Sequence, residues 1–286
     1  MIRLLALLPV VVFLSAGERL SFAVANLPAD VGSLHVINNI HYGPESWQTL
    51  DLYMPKASQS RRATIVFLYG GRWTKGAKSD YRFIAKTFAS RGYNVVIPDY
   101  AKYPAVKFPA FVEDAAKAVA WTYDHIEAYH GDQRLIHVVG HSAGAHIGAL
   151  VVADPRYLAA EGKTPRQTIA SFAGLAGPYD FTPDEPDLMD MFGPPDRYRY
   201  MQVTSFIGGH EPPMLLLWGD ADKLVRRFKL DHVKAAVEAK SGAIETKIYH
   251  GGDHIGLLSA LSWFNSQRLS VLDDLDRFLV AAASEK

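Results

Sequence analysis

Cysteine is absent from the 286-residue chain, and its absence removes whole classes of chemistry. There is no disulfide, no thiolate metal site, no cysteine nucleophile and no lipoprotein cysteine, while the compartment stays open. An excess of charge of one sign is also missing: 30 Lys and Arg balance 30 Asp and Glu. A chain that tracks a nucleic-acid backbone normally carries a basic excess, so no nucleic-acid partner is expected. No apolar run reaches the roughly 20 residues that a membrane-crossing helix needs. Repeats and low-complexity tracts are lacking too. What the composition does hold is 49% hydrophobic and 21% charged residues, enough apolar side chain for a sizeable core and too much for a disordered chain.

Arg3 followed by the apolar run Leu4–Leu14 has the shape of a signal peptide. Ala23-Val24-Ala25 has the A-x-A form of a cleavage site, and Ser15-Ala16-Gly17 is a nearer, less regular one. Residues 1–25 are therefore expected to direct export to a periplasmic or secreted location. The alternative is an apolar amino-terminal helix packed on the domain or lying on a membrane, in a cytoplasmic or membrane-associated protein. Membrane contact is expected through this segment only.

From residue 34 onward, short apolar runs alternate with helical patterns. His35 to Tyr42 and Gln48 to Tyr53 read as two strands around Gly43-Pro44. The runs Thr64 to Tyr69, Asn94 to Ile97, Leu135 to Val139, Ile169 to Leu175, Met214 to Trp218 and Ile244 to Tyr249 each end at or near Gly or Pro. Most are apolar on both faces, as a parallel sheet covered by helices requires. Between and after them, helices are predicted over Ser79–Arg91, Pro109–Tyr129, Ala143–Asp154, Val225–Lys240 and Arg268–Ala283. Such alternation argues for a doubly wound α/β sheet over 34–286, with function gathered at the carboxyl ends of the strands. Residues 182–213 break the alternation. They are rich in proline, yet carry Met189, Met191, Phe192 and Phe206, so a lid-like insertion or pocket wall is expected there.

Gly140-His141-Ser142-Ala143-Gly144 is G-x-S-x-G, with an apolar strand before it and a helical run after it. In that context the turn exposes the serine above the sheet and beside a helix N-terminus, so Ser142 is the candidate nucleophile. A serine nucleophile needs a base, and the base needs an orienting carboxylate. Past the strand Met214–Trp218 stand Asp220 and Asp222; past Ile244–Tyr249 stand His250 and His254. Asp222 is preferred as the acid, with Asp220 bracing the turn. His254 is preferred as the base, because it lies deeper in its loop and an imidazole there can reach across. Gly70 and Gly71, after the strand Thr64–Tyr69, allow close backbone approach. Their amides and that of Ala143 are the expected oxyanion donors. Gly71 to Ser79 resembles a phosphate loop, but Ala77 separates Gly76 from Lys78-Ser79. His250 and His254 sit in a Gly-rich stretch and no HExxH is present, so no metal is expected. His137 and His146 read as packing residues.

Taken together, these residues resemble a known family. Leu50-Asp51-Leu52-Tyr53-Met54-Pro55, Tyr69-Gly70-Gly71-Arg72-Trp73, Pro98-Asp99-Tyr100, Phe108-Pro109-Ala110-Phe111 with Glu113-Asp114, the serine elbow, Ala176-Gly177-Pro178-Tyr179-Asp180, Asp222 with Val225, and Gly252-Asp253-His254 are similar in order to the motifs of α/β-hydrolase carboxylesterases. The resemblance runs from about residue 40 to 280 and is to the hormone-sensitive-lipase-like and feruloyl-esterase-like branches, which also contain kynurenine formamidases. It implies an α/β-hydrolase fold with a mostly parallel eight-stranded sheet. It also implies the triad Ser142, Asp222 and His254, and oxyanion donors Gly70, Gly71 and Ala143. The chain departs from the branch at Tyr69, where His often stands, and at Ala101-Lys102, where Arg often follows Asp-Tyr. Tyr69 is expected to pack under the loop rather than donate to the oxyanion.

The expected activity is cleavage of small-molecule carboxylic esters with small or medium acyl chains, through an acyl-enzyme and without a cofactor. An arylformamidase or other amidase is the rival within enzymes. A binding protein on a hydrolase scaffold is the rival outside them.

Overall fold

The computed structural model describes residues 24–26, 34–263, 265 and 268–285. Apart from its last two residues, the segment expected to direct export lies outside the described residues. Among the described residues, no helix is long and apolar enough to cross a membrane.

Eight strands, β1 (His35–His41), β2 (Thr49–Met54), β3 (Thr64–Leu68), β4 (Asn94–Pro98), β5 (Ile136–His141), β6 (Ser171–Leu175), β7 (Met214–Gly219) and β8 (Ile244–Tyr249), form one sheet. Their order is β1-β2-β4-β3-β5-β6-β7-β8. β2 pairs antiparallel with β1 and β4, and the other pairings are parallel. Every residue of β3 to β7 is buried, which is why their sequences have no polar face: helices cover both sides. The outer strands β1 and β8 mix exposed and covered positions.

The helices are α1 (Arg82–Ala89), α2 (Ala110–His125), α3 (Ala143–Ala153), α4 (Pro155–Ala159), α5 (Pro165–Thr168), α6 (Pro186–Phe192), α7 (Phe228–Ala239), α8 (His254–Ser259) and α9 (Val271–Ser284). Helix α3 is apolar apart from His146 and buried at every position, because it runs against β5 and β6 and is covered by α2. β4 lies on one side of β3 and β5 on the other. The winding therefore reverses there, and a crevice forms at the carboxyl ends of β3 and β5.

Three local expectations change. The helix expected from Val225 starts at Phe228, because the Val225 N–H donates to Asp222 Oδ1 (2.9 Å) and its carbonyl accepts from Trp218 Nε1 (2.7 Å). His254, expected in a loop, opens α8: Asp253 caps that helix by accepting the Gly256 N–H at 2.6 Å. The stretch 182–213 is not one long loop. It holds α6 and the 3₁₀ turns Pro195–Tyr200 and Val203–Ser205. Its Leu188, Met191 and Phe192 are buried, so its apolar content seats it on the body of the fold.

Candidate active site

Strand β5 feeds directly into Ser142, which sits at φ 54° and ψ −122° before α3 begins. A non-glycine residue with positive φ is costly and persists only where its surroundings hold it. Here the Ser142 N–H donates to the Leu175 carbonyl (2.8 Å) and the Ser142 carbonyl accepts the His146 N–H (3.1 Å). The flanking glycines make this elbow possible. A Cβ on Gly144 would lie 2.0 Å from the Leu68 carbonyl oxygen, and one on Gly140 would lie 2.5 Å from the Gly144 carbonyl oxygen.

Two adjacent parallel strands bring the partners. Past β7, Asp222 is buried and its Oδ1 accepts the N–H groups of Leu224 (2.8 Å) and Val225 (2.9 Å). Past β8, His254 Nδ1 lies 2.8 Å from Asp222 Oδ2, and its Nε2 lies 2.9 Å from Ser142 Oγ. Burial acts to raise the Asp222 carboxyl. The hydrogen bonds from His254, Val225 and Leu224 outweigh it and hold the group below the usual carboxylate range. With Nδ1–H donating to the carboxylate, Nε2 faces Ser142 Oγ as an acceptor.

The loop after β3 lies against the same serine. A Cβ on Gly70 would fall 3.0 Å from Ser142 Cβ and from the His141 carbonyl oxygen, a tight fit that glycine avoids as the backbone approaches. Gly71, at φ +131°, makes a tight turn whose carbonyl accepts from Thr74 and Lys75, both at 3.0 Å. Ala143 is the first residue of α3, and its N–H is among those a helix leaves without an intrahelical acceptor. Arg72 ties the loop to the insertion, pairing with Asp187 and with Glu185 (2.7 Å).

A family model described as BD-FAE matches residues 50–235. The chain belongs to the BD-FAE family. Among curated relatives, the isoprenylcysteine alpha-carbonyl methylesterase ICME of Arabidopsis thaliana is 26% identical over 79% of this chain and 58% of its own length. Esterase LipC of Mycobacterium tuberculosis is 24% identical over 71% of this chain and 56% of its own. The BD-FAE chain thus spans less than two thirds of these relatives. Among solved structures, esterase B from Lactobacillus rhamnosis, in an inhibited form, superimposes with a TM-score of 0.77 at 20% identity, covering 94% of each chain. Esterase 2 of Thermogutta terrifontis, phosphoramylated by tabun, gives 0.71 at 24% identity over 89% of this chain and 97% of its own. The fold is that of the α/β-hydrolase esterases.

In this BD-FAE chain the second Asp–His set forms a pair of its own. Asp220 Oδ2 lies 2.7 Å from His250 Nδ1 and its Oδ1 accepts the Gly251 N–H at 2.7 Å. The His250 side chain is fully exposed. Asp220 therefore braces the ends of β7 and β8. The Tyr69 hydroxyl donates to Asp99 Oδ1 (2.6 Å), and its ring stacks between Tyr81 (5.1 Å) and Tyr100 (4.6 Å). It packs under the loop, as expected. Lys78, in the phosphate-loop look-alike, is committed to Asp51 Oδ1 and Asn39 Oδ1, both at 2.6 Å. His137 meets Ser171 Oγ at 2.8 Å and His146 Nε2 donates to the Met201 carbonyl at 2.7 Å. The residue the sequence argument overlooked is His141. Its fully buried ring donates from Nε2 to the His254 carbonyl at 3.0 Å, and burial pushes it down to about 3. Its only sequence signal is its place beside the serine.

Proposed function

We propose that the protein is a serine hydrolase that cleaves carboxylic esters of small or medium acyl chains. The observation that carries this reading is the unbroken hydrogen-bonded line from Asp222 through His254 to Ser142 Oγ at a strand-to-helix elbow. In the first half-reaction Ser142 Oγ attacks the ester carbonyl as His254 Nε2 takes its proton, and Asp222 stabilises the imidazolium that forms. The N–H groups of Gly70, Gly71 and Ala143 receive the developing oxyanion. His254 then gives the proton to the departing alcohol, leaving the acyl group on Ser142. In the second half a water attacks with His254 again as base, the acid leaves, and Ser142 is restored. No step draws on a cofactor.

Attack on a formamide would use the same three side chains. The relatives, a methylesterase and an esterase by name, favour the ester. The test compares 4-nitrophenyl acetate and butyrate with N-formylkynurenine, using wild type and Ser142→Ala. The esters should be turned over with the higher kcat/KM, and the variant should lose them. A higher kcat/KM for the formamide would overturn the ester assignment.

A further inference from the structure

On the reading that Ser142 takes up the acyl group, we propose that Phe192 limits acyl-chain length, standing as a partition between the space beside Ser142 and a separate groove behind it. Four aromatic rings meet beside the first turn of α3. His146 is one turn along from Ser142, whose carbonyl accepts its N–H. Trp73, on the loop that carries Gly70 and Gly71, stands edge-on to His146 at 5.3 Å and stacks on Phe181 at 5.6 Å. Phe192 closes the box from the insertion, edge-on to Trp73 at 5.0 Å and to Phe181 at 5.3 Å. Trp73, His146 and Phe181 lie past the carboxyl ends of β3, β5 and β6, so the box shares its sheet edge with Ser142. Trp73, His146 and Phe192 are buried, whereas Phe181 is partly exposed.

On its other side Phe192, with Phe108 and Met191, lines a groove of about 950 Å³ between the insertion, α2 and α4. Ser142, Asp222 and His254 are not among the lining residues of this groove. An acyl chain running from Ser142 along Trp73 would meet this ring, with the groove behind it. Phe192 does not swing aside readily. Phe108, which also lines the groove, and the buried Phe111 pack against it at 5.5 and 6.1 Å, and close-packed interior side chains sit in rotamer minima.

The experiment measures kcat/KM for 4-nitrophenyl esters from acetate to dodecanoate, in wild type, Phe192→Ala and Phe192→Leu. Wild type should favour acetate to butyrate and lose about tenfold or more by octanoate. In Phe192→Ala the octanoate-to-acetate ratio should rise about tenfold or more, and in Phe192→Leu by less. Leu keeps most of the buried volume, so it reads the same trend if the alanine variant does not fold. Adding Ala160→Trp, which fills the groove from α4, should reverse the gain in either background while leaving acetate turnover in wild type unchanged. An octanoate-to-acetate ratio that stays at the wild-type value in the folded variants would overturn the proposal, as would a gain that Ala160→Trp leaves in place. Either result leaves the serine mechanism standing, because that is read from acetate turnover with and without Ser142.

Discussion

His141, the residue immediately before Ser142, donates its Nε2–H to the backbone carbonyl of His254 at 3.0 Å. The elbow therefore carries the serine and also holds the main chain of the residue whose imidazole faces it. The two rings lie 5.0 Å apart, and a charged His141 would oppose the imidazolium that the proposed mechanism places on His254. Burial, the largest influence, and the neighbouring His254 keep His141 neutral. His141→Phe preserves ring volume but removes the donor. A net hydrogen bond is worth about 1 kcal/mol, so kcat should fall about 5- to 10-fold with KM little changed. His141→Gln, which can still donate, should recover most of the loss. Equal effects from both variants would show that the ring itself matters and the donor does not.

The buried histidines also set an acid limit on stability. Burial lowers His141 to about 3 and His146 to about 4, from an ordinary 6.5. Their unfolded forms bind protons below pH 6.5 while the folded forms do not. The stability they contribute is therefore complete above that pH and drains away as pH falls toward 4 and then 3. At about 1.4 kcal/mol per pH unit for each group, the pair should cost roughly 4 kcal/mol between pH 8 and pH 5. Urea unfolding across this range measures it, and His146→Gln should remove about half of the pH dependence. A variant with the wild-type slope would argue against a neutral, buried His146.

Lys78 and Asp51 form a buried pair at 2.6 Å, with side-chain exposures of 9% and 7%. Removing one partner of such a pair leaves an uncompensated charge and typically costs about 3–5 kcal/mol. Lys78→Met should destabilise the protein by that amount in urea unfolding. Asp51→Asn together with Lys78→Met should cost less than Lys78→Met alone, since no buried charge is then left over.

The two Asp–His pairs make opposite predictions. Asp222→Asn should lower kcat about 10⁴-fold, by analogy with a serine protease in which the amide holds the wrong histidine tautomer. Asp220→Asn and His250→Ala should change ester turnover by less than about threefold, since that pair is exposed and contacts neither Ser142 nor His254 in the described hydrogen bonds. A greater loss from Asp220→Asn than from Asp222→Asn would move the acid role to Asp220.

How far the sequence could be read depended on the range of the interactions. The parallel strands announced themselves because a strand covered on both faces must be largely apolar, as Thr64–Leu68 and Met214–Gly219 are. The elbow was legible because its two glycines are steric necessities within five residues. Asp222 and His254 followed from chain order and strand ends. Less legible was the start of α7, which is delayed because Val225 serves the Asp222 turn and Trp218 instead of the helix. The Asp253 cap that turns His254 from loop to helix is a local feature that could have been read. The order within residues 182–213 depends on Leu188, Met191 and Phe192 being buried against the body of the fold, with Arg72 and Lys107 from far earlier in the chain pairing with Asp187 and Asp190. No window of sequence contains those contacts. The same holds for His141 and His146, whose partners lie 113 and 55 residues away.

If Ser142 carries the acyl group, as proposed, the most direct test is covalent. The protein is mixed with a slowly deacylating 4-nitrophenyl ester or an organophosphonate, and its intact mass and peptides are read by mass spectrometry. Wild type should gain one adduct per chain on the peptide that contains Ser142, with a matching burst of nitrophenolate from the ester. Ser142→Ala should gain none and should lose about 10⁶ in kcat, as removal of a triad serine does in a serine protease. An adduct on another residue, or a Ser142→Ala variant that keeps more than about a tenth of wild-type turnover, would contradict the account.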